Sequence, residues 1–323
     1  MTHKYKGSSM KNLLILALAL LAGCDMPNNH QSNELDSSLT LVNENNHWFK
    51  AAAQKVEKNR LIAETIKNHK GAAKNIILFV GDGMSLTTVT ASRIFEGQQQ
   101  GLLGEENNLS FDDFPFSGLA KTYAVDTQVP DSASTMTAII SGVKTNKGLV
   151  GIDESVVRGD CGNQVGNEVV SALDLAELAG LSTGIVTTTR VTHATPAATY
   201  AKSPDRDWED PSEMPKQAIE LGCVDIATQL IQYQANINTR YAGAKSDGIE
   251  VVMGGGRRHF LPEKSSADTE NTLKGNRPDG RNLISEWKAL YPKGLFLNNR
   301  ADFDSADFDR AQKIFGLFNK SHM

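Results

Sequence analysis

Gly184-Ile185-Val186-Thr187-Thr188-Thr189 is a short, strongly β-branched run, and four residues further on stands His193-Ala194-Thr195-Pro196. Branched side chains favour an extended backbone, so the run predicts a strand with a polar loop at its end. Helical patterns lie on either side, over Glu168–Ala179 and Ala218–Tyr233. A second strand is expected at Ile249–Met253, where Gly254-Gly255-Gly256 stops it. Strand, helix and strand in this order build a parallel sheet covered by helices on both faces.

The same alternation extends toward the N-terminus. Asn75-Ile76-Ile77-Leu78-Phe79-Val80 carries five apolar residues in a row, as in a strand buried on both faces, and ends in the turn Gly81-Asp82-Gly83-Met84. Further elements are expected as a helix over Leu86–Gly97, a strand around Gly118–Val125, and a helix from Ser132 to Ile140. Trp48–Asn68 has apolar residues at helical spacing among Lys and Glu, which reads as a surface helix. There is no internal repeat.

With 40% hydrophobic and 22% charged residues, the 323-residue chain is neither disordered throughout, nor collagenous, nor a polytopic membrane protein. A net charge of −5 leaves no broad basic face for nucleic acid. Lys4, Lys6 and Lys11 precede the apolar run Leu13–Leu21 and then Leu21-Ala22-Gly23-Cys24. This is the order of a secretory leader, and the run falls short of the roughly 20 apolar residues of a membrane span. The expectation is a lipoprotein signal over residues 1–23, lipid on Cys24, and an Asn- and Ser-rich tether over 24–46. An α/β domain over 47–323 would follow, exported to a bacterial cell envelope and facing the periplasm or exterior. Cys161 and Cys223 are then either a bridge closing a 62-residue loop or two buried thiols, and an oxidising compartment favours the bridge.

Ligands of open α/β sheets bind beyond the carboxyl ends of the strands. Asp82 stands between two glycines in such a place. Ser132, in Asp131-Ser132-Ala133, opens a helix: it reads first as an N-cap, yet the free N–H groups there also suit phosphate. Arg206, in Ser203-Pro204-Asp205-Arg206, offers a planar fork that matches phosphate oxygens. Singly each has an ordinary reading: a turn, a cap, a loop histidine at His193, a solvated charge.

Together, NIILFVGDGM (75–84), VPDSA (129–133), SGVKT (141–145), VTTTRVTHATPAATYA (186–201) and VMGGGR (252–257) resemble alkaline phosphatase, in register from about Trp48 to Met323. The likeness is to the branch containing the animal enzymes, which carry His at the position of His193, and whose residues matching Cys161 and Cys223 form a disulfide. The resemblance implies a three-layer αβα sandwich around a largely parallel sheet. It implies a phosphate monoester hydrolase with two Zn2+ and one Mg2+ per complete site, commonly a homodimer, acting on phosphate monoesters and binding inorganic phosphate. Ser132 would be the nucleophile, zinc-bound and forming a phosphoserine. Asp131 would hold Arg206, which would clamp the phosphoryl oxygens, 13 residues after His193. Asp82 would bridge a zinc and the magnesium site, Thr195 would ligate magnesium, and His193 would act there through water.

The sequence departs from the pattern in three places. Ser85 replaces the last glycine of Gly-Asp-Gly-Met-Gly, where a local hydrogen bond is expected instead. Asn319, in Gly316-Leu317-Phe318-Asn319, stands where the animal branch has a calcium-binding Glu, so the resemblance does not carry a calcium site over. The later Glu-Gly-x-x-Ile-Asp-x-x-x-His stretch and Asp-His pair do not occur. The chain therefore reads as the N-terminal part of the fold, some two thirds of it, inactive or nearly so by itself. The competing readings are a non-catalytic phosphate-binding lipoprotein and a phosphodiesterase or sulfatase of the same superfamily, whose usual nucleophiles are Thr or a modified Cys.

Overall fold

The computed structural model describes residues 47–69, 71, 73–263 and 274–323. The leader and tether expected over 1–46 lie outside the described residues. The chain divides into two compact units, Met1–Ile76 and Ile77–Met323. Helix α1, His47–Asn68, belongs to the first and is exposed along its length, as its Lys- and Glu-rich pattern predicts. No helix among the described residues is long and apolar enough to cross a membrane.

In the second unit the helices are α2 (Leu86–Gln99), α3 (Ser132–Ser141), α4 (Ala172–Leu178), α5 (Ala194–Ala197), α6 (Lys216–Glu220), α7 (Ile226–Ile231), α8 (Tyr233–Arg240), α9 (Leu283–Leu290) and α10 (Arg300–Asp304). The strands are β1 (Gly184–Arg190), β2 (Val251–Gly255), β3 (Leu295–Leu297) and β4 (Ile314–Leu317). They form one sheet in the order β1-β2-β4-β3, with every pairing parallel. Ile185 pairs with Val252, and Val252 with Phe315. The core joins sheet and helices through Ile185, Val252, Phe315, Ala133, Leu230 and Trp287, among others.

Several expected boundaries move, for local reasons. The helix expected from Glu168 starts at Ala172, because Ser171 and Asp174 cap each other's backbone N–H at 3.0 Å. The single helix expected over Ala218–Tyr233 is three, α6 to α8. Gly222 takes φ +83° just past α6, and Asp225 caps α7 by accepting from Thr228 N–H at 2.9 Å. The break places Cys223 against Cys161, with Cα atoms 6.0 Å apart in a disulfide.

Two expected strands do not form. Asn75–Val80 makes no ladder, and Ile76 and Phe79 are each 88% exposed. Its composition favours extension, but a strand also needs a free sheet edge beside it, and none of the described strands pairs with it. Gly118–Val125 likewise is irregular, with Val125 N–H donating to Thr145 O at 3.1 Å. Nor is the sheet covered on both faces throughout: β1 alternates, with Ile185 buried and Val186 75% exposed. The α/β class and the parallel sheet hold; the outer layer expected over β1 is not formed by described residues.

Candidate active site

The turn after Val80 is closed by Met84 N–H donating to Gly81 O at 3.3 Å, and it needs φ +67° at Gly83. Ser85 then caps α2, accepting from Thr88 N–H at 3.3 Å, so the serine that stands in place of glycine starts the helix. Asp82 is thereby left at the tip of the turn.

Three side chains from two other segments reach this carboxylate. Ser132 Oγ donates to Asp82 Oδ1 at 3.2 Å, and Thr195 Oγ1 donates to Asp82 Oδ2 at 2.7 Å. His193 Nδ1 lies 3.6 Å from Asp82 Oδ2. Ser132 is not the helix cap. That work falls to Asp131, whose carboxylate accepts from Ser134 N–H at 3.1 Å, Ser134 Oγ at 2.8 Å and Gly148 N–H at 3.2 Å. With the cap supplied one residue earlier, the Ser132 hydroxyl is released to face Asp82.

Arg206 completes the group. Its Nη1 donates to Asp131 Oδ2 at 3.0 Å, its Nη2 meets His193 Nε2 at 3.2 Å, and its backbone N–H is fixed on Gly148 O at 2.9 Å. A guanidinium only donates, so His193 Nε2 must accept and the ring proton sits on Nδ1, toward Asp82. Burial, then Arg206 and Arg190, lower the His193 pKa against the pull of Asp82 and Glu209, which disfavours the charged ring. Burial would raise the Asp131 carboxyl, but the bonds from Ser134, Arg206 and Gly148 outweigh it and lower the pKa. Asp82, Ser132, Asp131, Arg206, His193 and Thr195 thus form a closed ring of contacts beyond the end of β1.

With that geometry in place, a model of the family described as alkaline phosphatase matches residues 73–323. The chain belongs to the alkaline phosphatase family. It is 44% identical over 283 residues to the tissue-nonspecific alkaline phosphatase of Rattus norvegicus, covering 85% of this chain and 51% of that protein. It is 40% identical over 286 residues to a membrane-bound alkaline phosphatase of Bombyx mori, covering 85% and 49%. Among solved structures, the alkaline phosphatase of Thermus thermophilus matches with a TM-score of 0.53 at 25% identity, over 76% of this chain and 40% of that one. The cold-active enzyme of a Shewanella species gives 0.51 at 25%, over 76% and 46%. The chain spans about half the length of the curated relatives it matches, rather than the two thirds expected from motif order.

The donor set tests which metals of an alkaline phosphatase these residues suit. Asp82, Thr195 and Ser132 offer oxygens only, the choice of a hard cation such as Mg2+ that keeps several waters. His193 Nδ1 has no hydrogen-bond partner among the described residues, as a group acting through a bound water requires. Zinc sites normally take three or four protein ligands from His, Cys and carboxylates. Among the described residues no three such side chains group closely enough to hold a metal. The set fits a magnesium ion and does not fit two zinc ions.

Four contacts around the ring escape sequence reading. Glu209, buried, accepts from Arg190 Nη2 at 2.6 Å and Thr192 Oγ1 at 2.5 Å, tying the Arg206 loop to the end of β1. His259, also buried, shares Asp210 at 2.5 Å and Glu209 at 3.3 Å. His322 Nε2 lies 2.5 Å from Arg190 Nη1, with its ring 5.4 Å from that of His193. Arg158 binds Asp205 and Asp207 on either side of Arg206. Only the acidic residues close behind Arg206 could have signalled any of this.

Proposed function

We propose that this chain carries the phosphoryl-binding and nucleophilic part of a phosphate monoester hydrolase. The observation that supports it is the convergence of Ser132, Asp82 and Arg206 at one strand end. A phosphoryl group needs positioning and charge neutralisation more than covalent help. Arg206, braced by Asp131, presents its remaining N–H groups to two phosphoryl oxygens. Ser132 Oγ, set by its bond to Asp82, attacks phosphorus; the Ser132 O–P bond forms, the ester P–O bond breaks, and the alcohol leaves carrying a proton. Water then cleaves the phosphoserine, returning Ser132 and releasing inorganic phosphate. Asp82 and Thr195 would hold a magnesium ion, which would supply positive charge to offset that of the phosphoryl group.

A second reading, in which this chain alone binds inorganic phosphate with little turnover, is supported by the ring around Asp82, which among the described residues gathers hydroxyls and a guanidinium and no group of three His, Cys or acidic side chains. One experiment separates the two: incubation with an aryl phosphate at alkaline pH with Zn2+ and Mg2+, followed by mass spectrometry of the peptide containing Ser132. The first reading expects turnover and a phosphate on Ser132, both lost in Ser132→Ala. Equal hydrolysis by Ser132→Ala overturns it, and phosphate binding without turnover supports the second. The leader and Cys24 support placement of the chain in a bacterial envelope, a reading that detection of a lipid-modified Cys24 peptide would test.

A further inference from the structure

Arg206 is flanked in sequence by Asp205 and Asp207, and either carboxylate could occupy its guanidinium. Neither does so closely: Asp207 Oδ1 is 3.9 Å from Arg206 Nε. Both are held by Arg158 instead. Its Nε and Nη2 donate to the two oxygens of Asp205 at 3.1 and 2.9 Å, and Nη2 also donates to Asp207 Oδ2 at 2.8 Å. This bidentate-plus-one arrangement needs the planar fork of arginine.

Arg158 is carried there by a fixed loop. Gly159 N–H donates to Pro204 O at 3.0 Å, and two residues later Cys161 joins Cys223. The guanidinium lies over the backbone of Gly148, where an added Cβ would come within 2.6 Å of Arg158 Nε. The same glycine accepts from the Arg206 N–H and donates to Asp131. Arg158 therefore touches both the carboxylates beside Arg206 and the backbone that holds Arg206 and Asp131 in place.

We propose that Arg158 is a positioning residue for anion binding: by holding Asp205 and Asp207 it keeps them off Arg206, leaving that guanidinium to phosphoryl oxygens. This rests on the reading of Arg206 as the phosphoryl clamp. Two of the five Arg206 N–H donors are already committed, to Asp131 and His193. Without Arg158, the side chain of Asp207, 67% exposed and free to swing, need move only about an ångström to take Nε as well. A carboxylate there competes directly with the incoming phosphate.

The test reads Arg206 itself and needs no turnover. Phenylglyoxal labels guanidinium groups that are not tied up in ion pairs, and peptide mapping of the full chain at low conversion gives the rate at Arg206. Arg158→Met is expected to slow that rate about two- to five-fold, the range of a partly exposed ion pair. Adding D205N and D207N to the same variant restores it. An Arg206 rate unchanged by Arg158→Met, or slowed but not restored by the added substitutions, overturns the proposal. Should the Met variant lose its near-UV circular dichroism, Arg158→Lys carries the same decision, since one ammonium cannot hold both carboxylates: slower labelling is expected, and unchanged labelling refutes. Protection of Arg206 by inorganic phosphate is measured separately. Its absence removes the phosphoryl reading of the site, while the labelling ratio still decides what Arg158 does.

Discussion

Ser132 Oγ rests 3.2 Å from Asp82 Oδ1 across 50 residues of sequence, and this contact exists because Asp131, not Ser132, caps helix α3. A capping serine would spend its oxygen on the backbone of its own helix. Displacing that task by one residue leaves a hydroxyl at a helix start, facing a carboxylate that also receives Thr195.

The shared carboxylate should govern cation binding. Asp82→Asn keeps one acceptor oxygen where Ser132 and Thr195 use two, and removes the charge, and a hard cation binds charged oxygens best. Magnesium affinity, measured by calorimetric titration of the chain, should fall at least about tenfold. Equal affinity in the variant would place magnesium elsewhere.

Asp131 does two separable things. Asp131→Ala removes the cap as well as the Arg206 pair, and should cost about 1–2 kcal/mol in urea unfolding from the cap alone. Asp131→Asn retains the cap and loses the ion pair. The stability of the Asn variant should therefore lie nearer wild type, while its Arg206 becomes more mobile in side-chain NMR relaxation.

Glu209 and Arg190 are both largely buried, with side chains 7% and 14% exposed. Removing one charge of such a pair strands the other, at about 3–5 kcal/mol. Glu209→Gln should lower the urea midpoint accordingly and loosen the end of β1, seen as faster amide exchange at Val191 and His193. A loss under about 1 kcal/mol would show the pair to be screened like a surface bridge.

Acid sensitivity should come from the same network. Burial opposes ionisation of Glu209 and Asp210, yet bonds from Arg190 and Thr192 to the first, and from His259 and Ser212 to the second, hold both below the ordinary carboxylate range. Their folded pKa lies below the unfolded value, about 4. The stability they contribute is therefore complete above that value and lost as pH falls through the folded pKa. Urea midpoints measured below about pH 4 should fall less steeply in Asp210→Asn than in wild type.

The disulfide should act through the unfolded chain. Closing a loop of 62 residues is worth about 4 kcal/mol on the loop-entropy model. A paired Cys161→Ser and Cys223→Ser variant should lose stability of that order in urea, with native-like circular dichroism in water. A loss near zero would point to residual structure in the reduced, unfolded chain.

What could be read from the letters depended on whether a residue's role is local. Helices α2 and α3, strands β1 and β2 and the turn at Gly83 all follow from spacing, capping residues and branching, while the disulfide was favoured by the expected oxidising compartment and by the family resemblance. Strands β3 and β4 are 3 and 4 residues long, too short for periodicity to mark. Asn75–Val80 failed in the opposite sense: its pattern states a preference for extension and says nothing about whether a partner strand lies alongside.

The sequence by itself determined the α/β class and, through several motifs in register, the family, because β-branched runs and helix caps are written in neighbouring residues. The six residues of the ring came from that resemblance, each having an ordinary reading alone. The tertiary structure alone decided that Ser132 is free of the helix cap, that Glu209 and Arg190 brace the strand end, and that Arg158 takes the carboxylates beside Arg206. Those are contacts across 19 to 50 residues of chain. They depend on which charges burial forces together, and no spacing in one dimension records that.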